Sequence, residues 1–308
     1  MSASDGSPTS TGRSWPPADP ERIASPGVFA IAISLVASVC WGSTDFLSGI
    51  ASRKVSVPVV LIGVEGVGLV VILAIGLATG EPVPAMRWLL QAAAAGIVGV
   101  TGLGLFFWAL SLGKMSVVAP ISACGAALPA IVGVAHGDPV SGLLAAGLLA
   151  ALAGIVLVSL EAEHEGEAHP SRAGRLPLLL AGLAALGFGS YYVLFDAVAD
   201  HSIVWGLVAA RGIPVLALAV ILMVRRPARP QGPTRGLIVG AGLLDITATA
   251  LYGIALTKGA LSAVSVVGAL FPMTTVVLAR VILGERVRPI QRVGIALALG
   301  GVAMIAAG

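Results

Sequence analysis

Between residues 28 and 307 the sequence passes ten times through stretches of about twenty residues with scarcely a charge. A helix of about twenty apolar residues is what crossing the hydrocarbon core of a bilayer requires. The stretches run approximately over 28–50, 57–79, 88–110, 115–134, 140–160, 176–197, 203–224, 235–257, 261–282 and 289–307. Flanking charges and prolines set their limits. With 57% hydrophobic and 11% charged residues and a mean hydropathy of +1.00, the chain has more apolar length than one water-soluble core can bury. The expectation is an all-α integral membrane protein with ten transmembrane helices, multi-pass in the cell membrane.

The remaining composition excludes several classes. The net charge of +3 is small, and its basic residues fall in short connections between apolar runs, so no nucleic-acid partner is expected. Cys40 and Cys124 lie inside apolar runs, where a thiol behaves as a small hydrophobe, and no disulfide or metal site is expected. Residues 1–27 are rich in Ser, Pro, Thr and Asp and read as a disordered tail. The first apolar run exceeds a signal-peptide core and lacks a small-residue cleavage pattern, so it reads as a retained span. Residues 161–175 carry Glu161, Glu163, Glu165 and Glu167 with His164 and His169, at spacings of no defined ligand set. They read as a solvated acidic linker between two units, 28–160 and 176–308, of five apolar stretches each.

The two units are copies. Cys40-Trp41-Gly42-Ser43-Thr44-Asp45 is echoed by Gly187-Phe188-Gly189-Ser190-Tyr191-Tyr192, an offset of about 147 residues. The same offset sets Gly137-Asp138 on Gly284-Glu285, Gly147 on Gly294 and Gly154 on Gly301. One residue less sets Thr101 on Thr247, Ala109-Leu110-Ser111 on Ala255-Leu256-Thr257, Gly113 on Gly259 and Ser116 on Ser262. Five is odd, so a five-span unit ends on the side opposite its start and the second copy enters the membrane inverted. Two inverted five-helix repeats are a recurring architecture of secondary transporters that work by alternating access.

The Trp-Gly-Ser of the first span, the Ala-Leu-Ser-x-Gly between the third and fourth, Pro129 and Pro272 in the fourth and ninth, and Gly-Glu before the last span with Gly294 and Gly301 inside it form an ordered set. This set resembles the EamA repeats of the drug/metabolite transporter superfamily, over nearly all of residues 28–308. The resemblance implies a ten-helix bundle with a central cavity lined by the first, third and fourth helices and by the sixth, eighth and ninth. It also implies export or exchange of small metabolites.

Ionisable groups at mid-depth cost about 2.5–3.5 kcal/mol each and need a partner or a wet cavity. Glu65 in the second stretch and Arg211 in the seventh hold the same repeat position, Glu65-Gly66 matching Arg211-Gly212. At 1.5 Å per residue each lies about 13 Å from the end at which its helix enters, in a core of about 30 Å. A charge pair is geometrically allowed, either as a structural tie or as a gate that breaks in one state. The family repeat commonly places Arg in the second span, so Glu65 departs from it. Asp245 faces Gly99 in the repeat register and shares a helical stripe with Thr249 and Tyr252, at i, i+4 and i+7. A carboxylate out of water could carry a proton, meet a cationic substrate group, or serve packing through a hydrogen bond.

Trp41, Asp45 and Ser48 share one face, and Tyr192 and Asp196 another. If these look inward they give an aromatic and polar lining for a substrate with one flat and one polar part. At the bilayer surface they would be interfacial anchors. Gly96, Gly99 and Gly102, Gly147 and Gly154, and Gly294 and Gly301 read as close helix-packing positions. Pro120, Pro129, Pro214 and Pro272 read as kinks or hinges.

Lys and Arg near the spans number four on the side of the N-terminus and twelve on the other, which favours termini outside. The family resemblance implies termini inside, and the sequence secures only that both lie on one side. The resulting expectation is a secondary active transporter of a small metabolite, amino-acid-like or amphipathic and drug-like, working by efflux with ion coupling. Its partners would be that substrate, the lipid bilayer and a coupling ion such as a proton, with no cofactor, in a monomer or homodimer. A channel or a non-transporting membrane binding protein is the alternative. A polytopic membrane enzyme is a weaker one, because His136, His164, His169 and His201 are scattered among connections. The sequence has no Walker-type loop for direct ATP drive.

Overall fold

The computed structural model describes residues 27–113, 115–138, 141–160, 176–225, 230–283 and 289–307. The expected tail, save Gly27, and the acidic linker 161–175 lie outside the described residues, as do Gly284 and Glu285 of the repeat alignment. Among the described residues twelve α-helices lie along the ten apolar stretches: α1 (Val28–Ser52), α2 (Val57–Thr79), α3 (Met86–Leu112), α4 (Met115–Ala123), α5 (Ala127–Ala135), α6 (Gly142–Leu160), α7 (Leu176–Ala199), α8 (Ile203–Arg225), α9 (Pro233–Leu256), α10 (Leu261–Gly268), α11 (Phe271–Leu283) and α12 (Pro289–Ala307). Among the described residues seven segments are long and apolar enough to cross a membrane, with Leu261–Leu283 counted as one, and shorter apolar helices cover 121–135 and 142–154.

Local chemistry explains the limits of these helices. Proline within the first two positions opens α2 and α9, where the missing N–H costs no helical bond. Gly80 ends α2 in the left-handed region at φ 64°. The fourth and ninth stretches, expected as single helices, are each broken. A 3₁₀ turn at Cys124–Ala126 separates α4 from α5, and α10 ends at Gly268 before α11 resumes at Phe271. Each break lies just ahead of a proline, Pro129 or Pro272, whose ring clashes with the carbonyl four residues earlier. Pro214, by contrast, is carried inside a continuous α8.

The largest helix contacts join the two halves, and they map onto themselves when the halves are exchanged. α3 packs on α7 as α9 packs on α1, α3 on α8 as α9 on α2, and α4 on α7 as α10 on α1. Two pairs are their own counterparts, α2 with α8 and α6 with α12. α2 runs antiparallel to α8, and α3 to α7. Along α2 and its end, Gly68, Gly76 and Glu81 meet Arg211, Val204 with Trp205, and Ser202 in descending order. Along α3, Gln91, Gly99 and Gly102 meet Leu194, Tyr191 and Gly187.

Glycine governs how close these helices come, and the contacts recur in both halves. Gly96 of α3 lies on the carbonyl of Ala210 in α8, and its counterpart Gly242 of α9 lies on that of Val64 in α2. Pro214 has no N–H to offer Ala210, so that carbonyl is free for the approach. Gly42 of α1 lies on the carbonyl of Phe271, and Gly189 of α7 on that of Gly125, both beside the helix breaks. The Gly of Trp-Gly-Ser and its echo is therefore a seat for the other half's broken helix. Gly301 likewise meets the Gly147 carbonyl between α12 and α6.

Polarity is arranged for lipid. Large apolar side chains such as Val70, Leu77, Leu149, Leu216 and Met223 are exposed, while Ser34, Asp45, Glu65, Arg211, Asp245 and Thr275 are buried. The buried hydroxyls tie halves together: Ser34 Oγ donates to the Val264 carbonyl at 2.7 Å, and Thr275 Oγ1 to the Gly42 carbonyl at 3.1 Å.

A Cβ at position 96 would run into the backbone of α8, which cannot rotate away, whereas position 66 has open space around it. Gly96→Ala is expected to destabilise the fold by about 1–3 kcal/mol or more, and Gly66→Ala to leave it within a few tenths. Thermal unfolding of both variants in one detergent checks the contrast.

Candidate binding site

Arg211 is the ninth residue of α8, three before Pro214, and its guanidinium is buried with side-chain exposure of 6%. The space for it is made on α2, where a side chain on Gly68 would stand 2.7 Å from Nη1. Nη1 donates to Glu65 Oε2 of α2 at 2.8 Å, and Nη2 to Asp245 Oδ2 of α9 at 2.5 Å. Nη2 also reaches Thr249 Oγ1 at 3.3 Å, and that hydroxyl donates to the Asp245 carbonyl at 2.7 Å, one turn back. Three helices are thereby tied at one cation. Burying these charges unpaired would cost several kcal/mol per ion, and Arg211 and the two carboxylates offset that penalty for each other across the ion pairs.

This network forms one side of a cavity of about 700 Å³, its open mouth included. Trp41 and Asp45 of α1, Glu65 of α2, Gly96, Gly99, Val100 and Leu103 of α3 line it. So do Phe188, Tyr191 and Tyr192 of α7, Leu207, Ala210 and Arg211 of α8, Asp245 and Thr249 of α9, and Phe271. Both repeats contribute, and the interior is apolar and aromatic with a few charged groups, the usual make-up of a small-molecule site.

The aromatic side is a cluster. The Trp41 ring lies 5.9 Å from Tyr192 and 5.3 Å from Tyr252, and the two tyrosines are 4.9 Å apart. Tyr191 adds a ring 5.8 Å from Tyr192. The Tyr252 hydroxyl is hydrogen-bonded to Ser265 Oγ at 2.7 Å.

The structure thus brings together Trp41, Asp45, Glu65, Tyr192, Arg211, Asp245 and Thr249 at one cavity. Tyr252 shares their neighbourhood but is fully buried behind the wall, supporting Trp41 and Tyr192. Trp41 and Asp45 face this cavity rather than the bilayer surface. Asp245 is paired with Arg211, a contact that the repeat register, with Gly99 opposite it, did not indicate. The second and seventh stretches, α2 and α8, contribute Glu65 and Arg211 to the charged wall although the family resemblance assigned the lining to others, and the fourth stretch contributes none of the lining residues among those described. Leu207, Ala210, Phe188, Tyr191, Val100, Leu103 and Phe271 were not singled out from the sequence as site residues. One signal was available: Leu207 sits four residues before Arg211, on its face of the helix.

A helical membrane protein with duplicated halves around a polar-walled cavity is the class these observations define. The model of the EamA-like transporter family matches the chain twice, over residues 28–160 and 175–307. The chain belongs to that family and is a multi-pass, transporter-like membrane protein. Among solved structures, one titled "Crystal structure of protein" is similar at a TM-score of 0.70 and 22% identity, with 89% of this chain and 95% of that chain covered. That likeness concerns the fold. No curated protein matches the chain.

Replacing Arg211 by Gln leaves two buried carboxylates facing each other, whereas Glu65→Gln leaves Arg211 one anionic partner. Arg211→Gln is expected to destabilise by about 3–5 kcal/mol, and Glu65→Gln by less. Denaturation midpoints in detergent, with Glu65→Gln/Arg211→Gln closing the cycle, measure the coupling.

Proposed function

We propose that this chain is a secondary active carrier of the cell membrane that moves a small amphipathic metabolite by alternating access. The observation that carries this reading is a cavity walled by both repeats, with packing contacts that exchange when the halves are exchanged. A second arrangement of similar energy is available to such a structure, with its opening on the other side. The antiparallel run of the repeat-equivalent α2 and α8 supports ten spans in two inverted halves. Export is the direction the family resemblance suggests, and the carrier works as a monomer or homodimer without catalytic chemistry.

In this reading Glu65 and Arg211 form the gate pair. They join the two halves at a self-equivalent interface, so their bond strains when one half rocks against the other. Asp245 is the coupling group, holding Arg211 in one state and a proton in the other. Trp41, Tyr192 and Thr249 contact substrate.

Counterflow in proteoliposomes, run over a metabolite panel with and without a pH gradient, tests the carrier. Labelled substrate accumulating against excess unlabelled substrate is expected, and a channel gives none. Asp245→Asn is expected to abolish the response to the pH gradient. Undiminished, still pH-dependent flux in that variant would remove Asp245 from the mechanism.

A further inference from the structure

The cavity holds three carboxylates and one cation. Glu65 and Asp245 both claim Arg211. Asp45 is left over: it is 5% exposed, it lines the cavity, and its Oδ2 has no hydrogen-bond partner among the described residues. No cation is paired with it there either. A buried carboxylate oxygen with no donor is costly to the folded protein, and a carboxylate of this kind in a cavity wall calls for a ligand.

Its neighbours say what kind. Trp41 precedes Asp45 by one helical turn on the same face, and Tyr192 closes on Trp41 at 5.9 Å. Indole and phenol faces carry negative potential and attract a cation within about 6 Å, most strongly where water is excluded. An anionic ligand, by contrast, would be a fourth negative group around one guanidinium. Arg211 has only Nε unpartnered, its two Nη atoms being occupied. Electrostatics and ring geometry therefore select the same sign.

We infer that Asp45 and the Trp41–Tyr192 faces form a recognition site for a monovalent organic cation, an ammonium group joined to an apolar or aromatic body. The inference rests on the carrier reading and names its substrate class. Asp45 supplies the charge, the rings supply the cation-attracting wall, and Phe188 with Leu103 takes the apolar body. The Arg211 network stays closed while the ligand is seated.

The test is calorimetric titration of the full chain in lipid nanodiscs with benzyltrimethylammonium, phenylalanine and phenylacetate, which share a ring and differ in charge. A quaternary ammonium donates no hydrogen bond and isolates the charge. Benzyltrimethylammonium is expected to bind, phenylacetate not to bind, and Asp45→Asn to weaken the cation by about thirtyfold or more. Asp45→Asn is also expected to melt no lower than the parent, since it removes an unpartnered charge. Trp41→Leu is expected to weaken the cation with Asp45 intact. Binding of phenylalanine or phenylacetate at least as tight as that of the cation overturns the inference. So does cation affinity unchanged in Asp45→Asn, absent cation binding to the parent, or collapse of Asp45→Asn on folding, which would make Asp45 structural. Counterflow with a zwitterion that ignores Asp45→Asn would sink this site and leave the carrier standing. Cation binding without counterflow would do the reverse.

Discussion

A guanidinium buried at mid-depth in a helical bundle has to be answered by anions within reach, and Arg211 is answered from two other helices. Glu65 comes from the first repeat and Asp245 from the second, so α2, α8 and α9 cannot part without exposing a charge to an apolar interior. The cost of that exposure, several kcal/mol, makes the network both a clamp and a threshold. Whatever rearrangement the bundle undergoes must move these three side chains together or exchange one partner for another charge. The cavity stands against this clamp, and its occupant shares the same electrostatic balance.

Close helix approach is the second condition, and it follows from absent side chains rather than from attractive ones. Lipid gives helices little hydrophobic reason to associate, so contact area and backbone proximity hold the halves. Gly96 on Ala210 and Gly242 on Val64 bring α3 and α9 onto carbonyls of the opposite half. Gly42 on Phe271 and Gly189 on Gly125 do the same where the fourth and ninth segments break. A single pattern thus serves packing twice and places Trp41 and Phe188, one residue earlier, at the cavity wall.

Much of the fold was legible because lipid imposes length: ten apolar stretches became helices within a few residues of their expected limits. The duplication was legible through Trp41-Gly42-Ser43 and its echo, and both copies match the same family model. The helix breaks were less so. Proline marks the neighbourhood of a break, yet Pro214 sits in a continuous helix, and only packing distinguishes the two. The charged groups were legible as candidates because mid-membrane ionisable residues are rare. Their pairing was not, since spacing along the chain cannot say which helices touch. Asp245 was the most prominent carboxylate in the sequence because nothing charged answers it in the repeat. In three dimensions Arg211 answers it, and among the described carboxylates of the cavity it is Asp45 whose Oδ2 has no hydrogen-bond partner.

Glu65 and Arg211 occupy the same place in two copies of one unit and face each other across an interface that is its own counterpart. In an assembly of two identical unfused units, that position would meet itself, Glu against Glu or Arg against Arg, and the like charges would repel at close range. Complementary charge at a self-facing site is open only to halves that can differ in sequence. The ion pair is in this sense a product of fusion: it records a chemistry that two identical subunits could not have reached.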